Sequence, residues 1–158
     1  MKKKILFVHH LNSISGGEIT LLEILKFISK NLFSPIVVLS KPGDLSIQLE
    51  KIGIKIVYIQ LSSLKLNSII RSSISFIKTI FQIWVLIKKE NISMIHAFSS
   101  ISTQYSVIAA KLAKIPCISH IHLILDSKSI FRSFIKYSDK IFTISNASGH
   151  LICPFLPT

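Results

Sequence analysis

Arginine is nearly absent from this chain of 158 residues, and acidic residues are few. Arg71 and Arg132 are the only arginines, and 7 Asp and Glu stand against 19 Lys and Arg, which leaves a formal net charge of +12. Proteins that read nucleic acid depend on arginine and on aromatic stacking platforms, and neither is concentrated here. We therefore expect no nucleic-acid partner, and the lysine excess favours an anionic membrane surface.

Cysteine is equally scarce. Cys117 and Cys153 show neither C-x-x-C nor zinc-site spacing, and both lie in apolar surroundings. They predict reduced, buried thiols of a cytoplasmic protein. The apolar stretch after Lys4 is about four residues long, too short for the apolar region of a secretory signal. We expect a cytoplasmic protein with a peripheral position on the inner face of the plasma membrane.

Short apolar runs rich in Ile and Val alternate with helical patterns along the chain. The runs, each bounded by turn residues, predict strands at 5–8, 35–39, 55–59, 92–96, 116–120 and 140–144. Helical spacing of apolar residues predicts helices at 18–29, 45–51, 64–89 and 103–113, with a weaker one near 129–137. This order predicts right-handed βαβ crossovers and a Rossmann-like, doubly wound parallel sheet in a three-layer α/β/α domain.

The long helical pattern at 64–89 is wider on its apolar side than one sheet face requires. Arg71, Lys78 and Gln82 interrupt it, so it does not supply the roughly 20 apolar residues of a membrane-spanning helix. Two interpretations stay open: a long core helix, which we favour, and a helix lying partly in a membrane interface.

The first 25 residues carry the most specific local signal. A buried strand is followed by a loop, then by Ser15-Gly16-Gly17-Glu18 and an amphipathic run. Ser15 and Glu18 match the S-x-x-E capping box, and the glycines let a ligand approach the start of a helix, where anions bind. A simple helix cap and a phosphate site are equally supported. The loop is not G-x-G-x-x-G, which argues against a dinucleotide fingerprint.

Histidines follow three of the predicted strands. His9 and His10 end the first, His96 ends the fourth, and His120 and His122 end the fifth. The carboxyl ends of parallel strands meet at one edge of the sheet, so these side chains predict a polar binding site there. Zinc binding is a weaker alternative, because no third ligand can be identified.

Several segments together resemble the N-terminal domain of the GT-B glycosyltransferases of family 4. The segments are KILFVHHLNSISGGEITLLE (4–23), IHAFSS (95–100), AAKLAKIP (109–116), HIH (120–122) and SDKIFTISNAS (138–148). Their order and spacing match the family over residues 1–148, whereas residues 149–158 form a divergent apolar tail. The resemblance implies transfer of a sugar, with retention of configuration, from a nucleotide-sugar donor to a glycolipid or polysaccharide acceptor.

The resemblance also assigns roles to residues of this chain. His122 matches a histidine that contacts the transferred sugar, and we assign it the catalytic position. The substrate- and phosphate-binding positions are Gly16, Gly17, Glu18, His96, Ser99, Ser145 and Asn146. No cofactor and no metal are implied, since the nucleotide sugar is a substrate.

Complete members of that family have a second Rossmann-like domain with an E-x7-E motif, and residues 1–158 contain neither. We expect a truncated N-terminal domain that is inactive alone. The alternative is a non-catalytic, membrane-associated acceptor-binding subunit that needs a separate donor-binding partner. A third option is an unrelated nucleotide-binding Rossmann domain.

Overall fold

The computed structural model describes residues 2–61, 69–122, 129–130 and 133–152. The strands are β1 (Lys3–Val8), β2 (Phe33–Leu39), β3 (Lys55–Tyr58), β4 (Ile92–Ala97), β5 (Cys117–Ile121) and β6 (Lys140–Thr143). The helices are α1 (Gly16–Phe27), α2 (Asp44–Lys51), α3 (Ile69–Glu90), α4 (Ser100–Ala113) and α5 (Asn146–Ile152). All six predicted strands and the four main predicted helices are confirmed, with small differences at their ends.

The six strands form one parallel sheet in the order β3-β2-β1-β4-β5-β6. Strand β1 lies at its centre and pairs with β2 on one side and with β4 on the other, where Val8 is opposite Ala97. The chain order reverses at this pair, and open α/β sheets bind ligands at the carboxyl ends of the strands beside such a reversal. The predicted Rossmann-like, doubly wound fold is confirmed.

Successive side chains of each strand point to opposite faces of the sheet, and the apolar ones pack in a separate core on each face. Leu6 and Val8 of β1 face a core shared with α3 and α4, whereas Ile5 and Phe7 face a core shared with α1 and α2. The sheet is therefore covered by helices on both faces, which explains why its strands read as continuous apolar runs.

Helix α3 has both a buried and an exposed apolar side. Ile80, Ile83, Leu86 and Ile87 are buried in the core under the sheet. A second stripe, defined here as Ile74, Ile77, Phe81 and Val85, is exposed to solvent. The first residues of the predicted helix, 64–68, lie outside the described part of the chain. No helix among the described residues is long and apolar enough to cross a membrane.

The C-terminal part of the described chain packs on a small third core. Ile152 of α5 is buried with Ile121, Ile130 and Ile135. Helix α5 continues to Ile152, which packs against Ile121 of β5, and residues 153–158 lie outside the described residues; the domain boundary at residue 148 stays a prediction. Of the weak helix predicted near 129–137, the structure shows helical residues at 129–130 and a 3-10 turn at Ile135–Tyr137, and residues 131–132 are not described.

Candidate functional site

A cavity of about 330 Å³ opens at the carboxyl ends of β1, β4 and β5. It lies beside the reversal of strand order between β1 and β4, where this fold class binds ligands. Its walls come from the loop after β1, the first turn of α1, the segment between β4 and α4, and the end of β5. The lining residues are His9, His10, Leu11, Ser15, Gly16, Gly17, Glu18, Phe98, Ser99, Ser100, Ile101, Ile121 and His122.

The first turn of α1 forms one wall, and the Glu18 carboxylate within this turn caps the start of the helix. Glu18 Oε2 accepts a hydrogen bond from Ser15 N (2.8 Å) and a second from the Ser15 hydroxyl. This confirms the predicted pairing of Ser15 with Glu18. The first N–H groups of a helix have no acceptor within the helix, so the turn at Gly16 and Gly17 presents donors and the positive end of the helix dipole to the cavity.

Glu18 also contacts a histidine from the end of β1. His9 Nε2 lies 2.5 Å from Glu18 Oε1, and His9 Nδ1 lies 2.8 Å from the carbonyl oxygen of Phe98. Both side chains are buried, with His9 2% and Glu18 1% exposed. Burial by itself would raise the pKa of the Glu18 carboxyl, but the Ser15 hydrogen bond and the nearby His9 lower it. Glu18 is thus held as a carboxylate inside the protein.

The opposite wall is formed by the start of α4. Ser99 caps this helix by accepting a hydrogen bond from Ser102 N (3.0 Å), and its hydroxyl also lies 3.0 Å from His10 Nδ1. Burial and the neighbouring His9 lower the pKa of His10 to about 4. His10 is therefore neutral at physiological pH, with Ser99 and His10 forming a polar pair beside the cavity.

His122 lies directly against the glycine turn, at the end of β5. Its ring stacks on Phe98 with the ring centroids 5.4 Å apart. Burial and the neighbouring His9 lower its pKa, while Glu18 acts in the opposite direction. His122 is a neutral imidazole with a buried ring nitrogen, Nε2, that has no hydrogen-bond partner among the described residues.

Two further histidines continue behind His122, away from the cavity. The ring centroid of His120 is 4.2 Å from that of His122, and His96 lies 5.7 Å beyond His120 in a nearly parallel stack. Burial, together with the neighbouring histidines, lowers the pKa of His96 to about 3 and that of His120 to about 4. In the part of the chain that the structure describes, no three His, Cys, Asp or Glu side chains are grouped so that they could hold a metal ion.

The structure brings together most of the residues predicted for the site. Gly16, Gly17, Glu18, Ser99 and His122 all line the cavity.

The other three predicted residues do not line the cavity. His96 is buried beneath it, between Phe7 and Phe98. Ser145 and Asn146 are exposed at the start of α5, beyond the edge strand β6.

The pairing of His9 with Glu18 and of His10 with Ser99 was not predicted. The sequence placed His9 and His10 at the ligand edge of the sheet, which the structure confirms. No spacing rule links either histidine to its partner, because the partners come from other elements.

Comparison with known proteins identifies a family and several solved structures of similar fold. The family described as "Glycosyl transferase 4-like" matches residues 4–145. HepE from Anabaena, solved with UDP, is 18% identical, with 96% of this chain and 40% of that chain covered and a TM-score of 0.75. A glycosyltransferase from Rickettsia africae is 21% identical, with coverage of 96% and 39% and a TM-score of 0.74.

A third structure extends this set. MurG from Acinetobacter baumannii is 15% identical, with 92% of this chain and 42% of that chain covered and a TM-score of 0.71. Identities this low show a shared fold. The chain spans about 40% of the length of HepE. HepE has also been solved with UDP-glucose. No curated protein sequence matches the chain.

Proposed function

The chain belongs to the glycosyl transferase 4-like family, and from this premise we propose that it binds a nucleotide sugar and forms the acceptor side of a glycosyltransferase site. The transferred sugar would pass to a glycolipid or polysaccharide acceptor. The observation that carries the proposal is the cavity at the reversal of strand order, with the first turn of α1 on one wall and His122 beside it.

The chemistry of the cavity walls suits the parts of such a ligand. The N–H groups and dipole of the Gly16-Gly17 turn favour the diphosphate of a nucleotide sugar. His122 lines the cavity and its buried Nε2 has no hydrogen-bond partner among the described residues, so we infer that a small movement of the ring lets it bind a sugar hydroxyl next to that diphosphate. Ser99 and His10 offer hydroxyl and imidazole groups to an acceptor on the opposite wall.

Transfer would need groups that residues 1–158 do not supply. We propose that the donor-binding half of the site comes from outside these residues, either from a second domain or from a separate partner chain. The comparison with HepE supports this proposal, since the chain spans about 40% of the length of that protein, which was solved with UDP. In that arrangement the chain by itself binds ligand weakly and transfers no sugar.

Mapping of UDP-glucose onto the chain by NMR tests the proposal. Titration to millimolar concentration should shift the amide signals of Gly16 and Gly17 and the ring signals of His122. In H122A the affinity should fall about tenfold, as expected for the loss of a hydrogen bond to a buried ligand group. H150A removes an exposed histidine of α5 and serves as the matched control. Shifts spread evenly over the surface, or equal losses in both variants, would contradict the proposal.

A second candidate function, as a membrane-associated acceptor-binding subunit, is favoured by the exposed stripe of α3. Ile74, Ile77 and Phe81 are 64%, 65% and 59% exposed. Lys78 follows Ile74 by four residues and Lys88 follows Phe81 by seven, so both lysines lie on the same side of the helix as the stripe. Apolar side chains flanked by lysines are typical of a helix that lies on an anionic lipid surface.

Flotation with vesicles tests this second function. The chain should float with phosphatidylglycerol vesicles at low salt and less with phosphatidylcholine vesicles. The double variant I77S/F81S should lose most of this binding. F27S removes an exposed aromatic side chain of α1, on the other face of the sheet, and should float as the parent chain does. Equal flotation of all three chains would contradict a role for the α3 stripe.

A further inference from the structure

We propose that His9 and Glu18 are positioning residues, which share one proton and hold the two walls of the cavity at a fixed distance. The inference rests on the proposed function only for its consequence, the binding of a nucleotide sugar. The proton and the bridge follow from the geometry of the chain itself.

The hydrogen-bond partners of His9 determine where its protons lie. A backbone carbonyl oxygen only accepts hydrogen bonds, so the bond between His9 Nδ1 and Phe98 O requires a proton on Nδ1. In a neutral imidazole Nε2 then carries no proton. Its lone pair would face a lone pair of the Glu18 carboxylate at 2.5 Å, and two acceptors repel each other at this distance. One further proton must therefore lie between Nε2 and Oε1.

The second oxygen of Glu18 indicates which partner carries the charge. Glu18 Oε2 accepts hydrogen bonds from Ser15 N and from the Ser15 hydroxyl. Two donors on one oxygen stabilise the carboxylate form. The proton accordingly belongs to His9, and the pair is an imidazolium and a carboxylate, each buried and each hydrogen-bonded at both ends.

This pair connects three elements that build the cavity. The backbone N of His9 donates to Val38 O of β2 (3.0 Å), which fixes the residue at the end of the sheet. One ring nitrogen binds Phe98, the neighbour of Ser99 on the α4 wall, and the other binds Glu18, the neighbour of Gly17 on the α1 wall. The imidazolium is thus a rigid spacer between the two walls.

The neighbouring histidines, His10 and His122, do not form the contact between the two walls that His9 and Glu18 form. The ring of His10 lies 5.5 Å from that of His9, and its hydrogen bond goes to Ser99. The charges of His9 and Glu18 act on the pKa of His122 in opposite directions. His9 contacts both walls, through Phe98 and Glu18, whereas the hydrogen bond of His10 reaches only the α4 wall.

The first measurement detects the shared proton in the whole chain. In a sample labelled with 15N at histidine, His9 should show two protonated ring nitrogens, both protected from exchange with water. In E18Q the side-chain amide can donate to a bare Nε2, so one ring N–H signal should disappear while the bridge remains. A parent chain with a single protonated nitrogen at His9 would overturn the proposal.

The second measurement separates positioning from mere stability. E18Q, which keeps the bridge, should lose less affinity for UDP-glucose than E18A and H9F, which break the bridge and should lose about tenfold or more. Exchange of the Ile19 N–H, which donates to Ser15 O in the first turn of α1 (3.0 Å), should accelerate in E18A and H9F but not in E18Q. Equal affinity and exchange in all three folded variants would overturn the positioning role.

Failure of the proposed function would look different. If the parent chain does not bind UDP-glucose at all, the nucleotide-sugar proposal fails, yet the ring signals of His9 and the exchange of the Ile19 N–H still test the bridge. If E18A does not fold, E18Q and H9F still give the comparison.

Discussion

The imidazole of His122 lies against Gly17 so closely that a Cβ on this glycine would be 3.3 Å from His122 Cγ. Gly16, its neighbour in the same turn, has no atom within 4 Å of the corresponding position. Both glycines begin the same helix, yet only at Gly17 would a larger side chain crowd a neighbour, the His122 ring. The contact joins the first turn of α1 to the end of β5, and so it sets the position of the proposed sugar-binding imidazole.

We therefore expect G17A and G16A to differ. In G17A the His122 ring must move by a few tenths of an ångström, because the new methyl group is tighter than an ordinary contact. Its ring signals should shift, and the affinity for UDP-glucose should fall about three- to tenfold. G16A adds the same methyl group to the same helical turn without this contact, so the His122 signals should stay in place. Unchanged His122 signals in both variants would show that the ring has room to spare.

The stacked histidines predict a loss of stability in acid. Burial lowers the pKa of His96 to about 3 and of His120 to about 4, from an unfolded value of 6.5. The unfolded chain therefore takes up protons first as the pH falls, and the free energy of unfolding should decrease from about pH 6.5 to about pH 3, with the His120 contribution lost by about pH 4. These two groups contribute no slope above pH 7.5.

Replacing one of these rings tests the assignment. H120F keeps an aromatic ring next to Phe98 and Phe142 and removes one titrating group, so the acid slope in urea unfolding should become flatter. H150N, at an exposed position of α5, is the control and should keep the slope of the parent chain. An identical slope in H120F would mean that other groups cause the acid response.

Asp139 should matter for stability through the backbone and not through its ion pair. Its Oδ2 accepts a hydrogen bond from Cys117 N (2.8 Å) at the start of β5, and its Oδ1 lies 3.3 Å from Lys111 Nζ on the surface. D139A leaves the Cys117 N–H without this acceptor and should cost about 1–3 kcal/mol. K111A removes only an exposed ion pair and should cost less than about 0.5 kcal/mol. Urea unfolding measures both, and equal costs would contradict this division.

The thiol of Cys117 should be inert in the folded chain. Burial raises its pKa to about 12, the charge of Asp139 adds to the increase, and Lys111 opposes it. Because the thiolate is the reactive form, iodoacetamide at pH 8 should leave Cys117 unmodified in the native chain and alkylate it in urea. Mass spectrometry of the Cys117 peptide distinguishes the two states. Equal alkylation rates would show that β5 opens readily.

The fold could be predicted because the local pattern of apolar residues indicates each strand and each main helix. Runs such as Ile5–Val8 are apolar on both faces, which is typical of a parallel strand covered by helices on both sides. The alternation of strands with helices then leaves few topologies, since crossovers are right-handed. Gly16, Ser99 and His122 could be placed at one edge for the same reason, because each follows a strand of this sheet.

The parts of the site that could not be predicted depend on the residue at which a strand ends and on the direction in which a helix crosses the sheet. Strand β4 continues to Ala97, one residue beyond the predicted end, and His96 therefore lies inside the sheet. Ser145 and Asn146 follow the edge strand β6, which β4 and β5 separate from β1 and from the first turn of α1. The bond between His9 and Glu18 depends on how α1 returns across the end of β1, which no local pattern encodes.

The position of β1 at the centre of the sheet has a consequence for the order in which the protein assembles on the ribosome. Val38 of β2 and Ala97 of β4 both pair beside Val8, so one neighbour of β1 is synthesised about sixty residues after the other. Until β4 has left the ribosome, one edge of an apolar strand has no partner and is open to incorrect pairing. At about 5–20 residues per second that interval lasts several seconds.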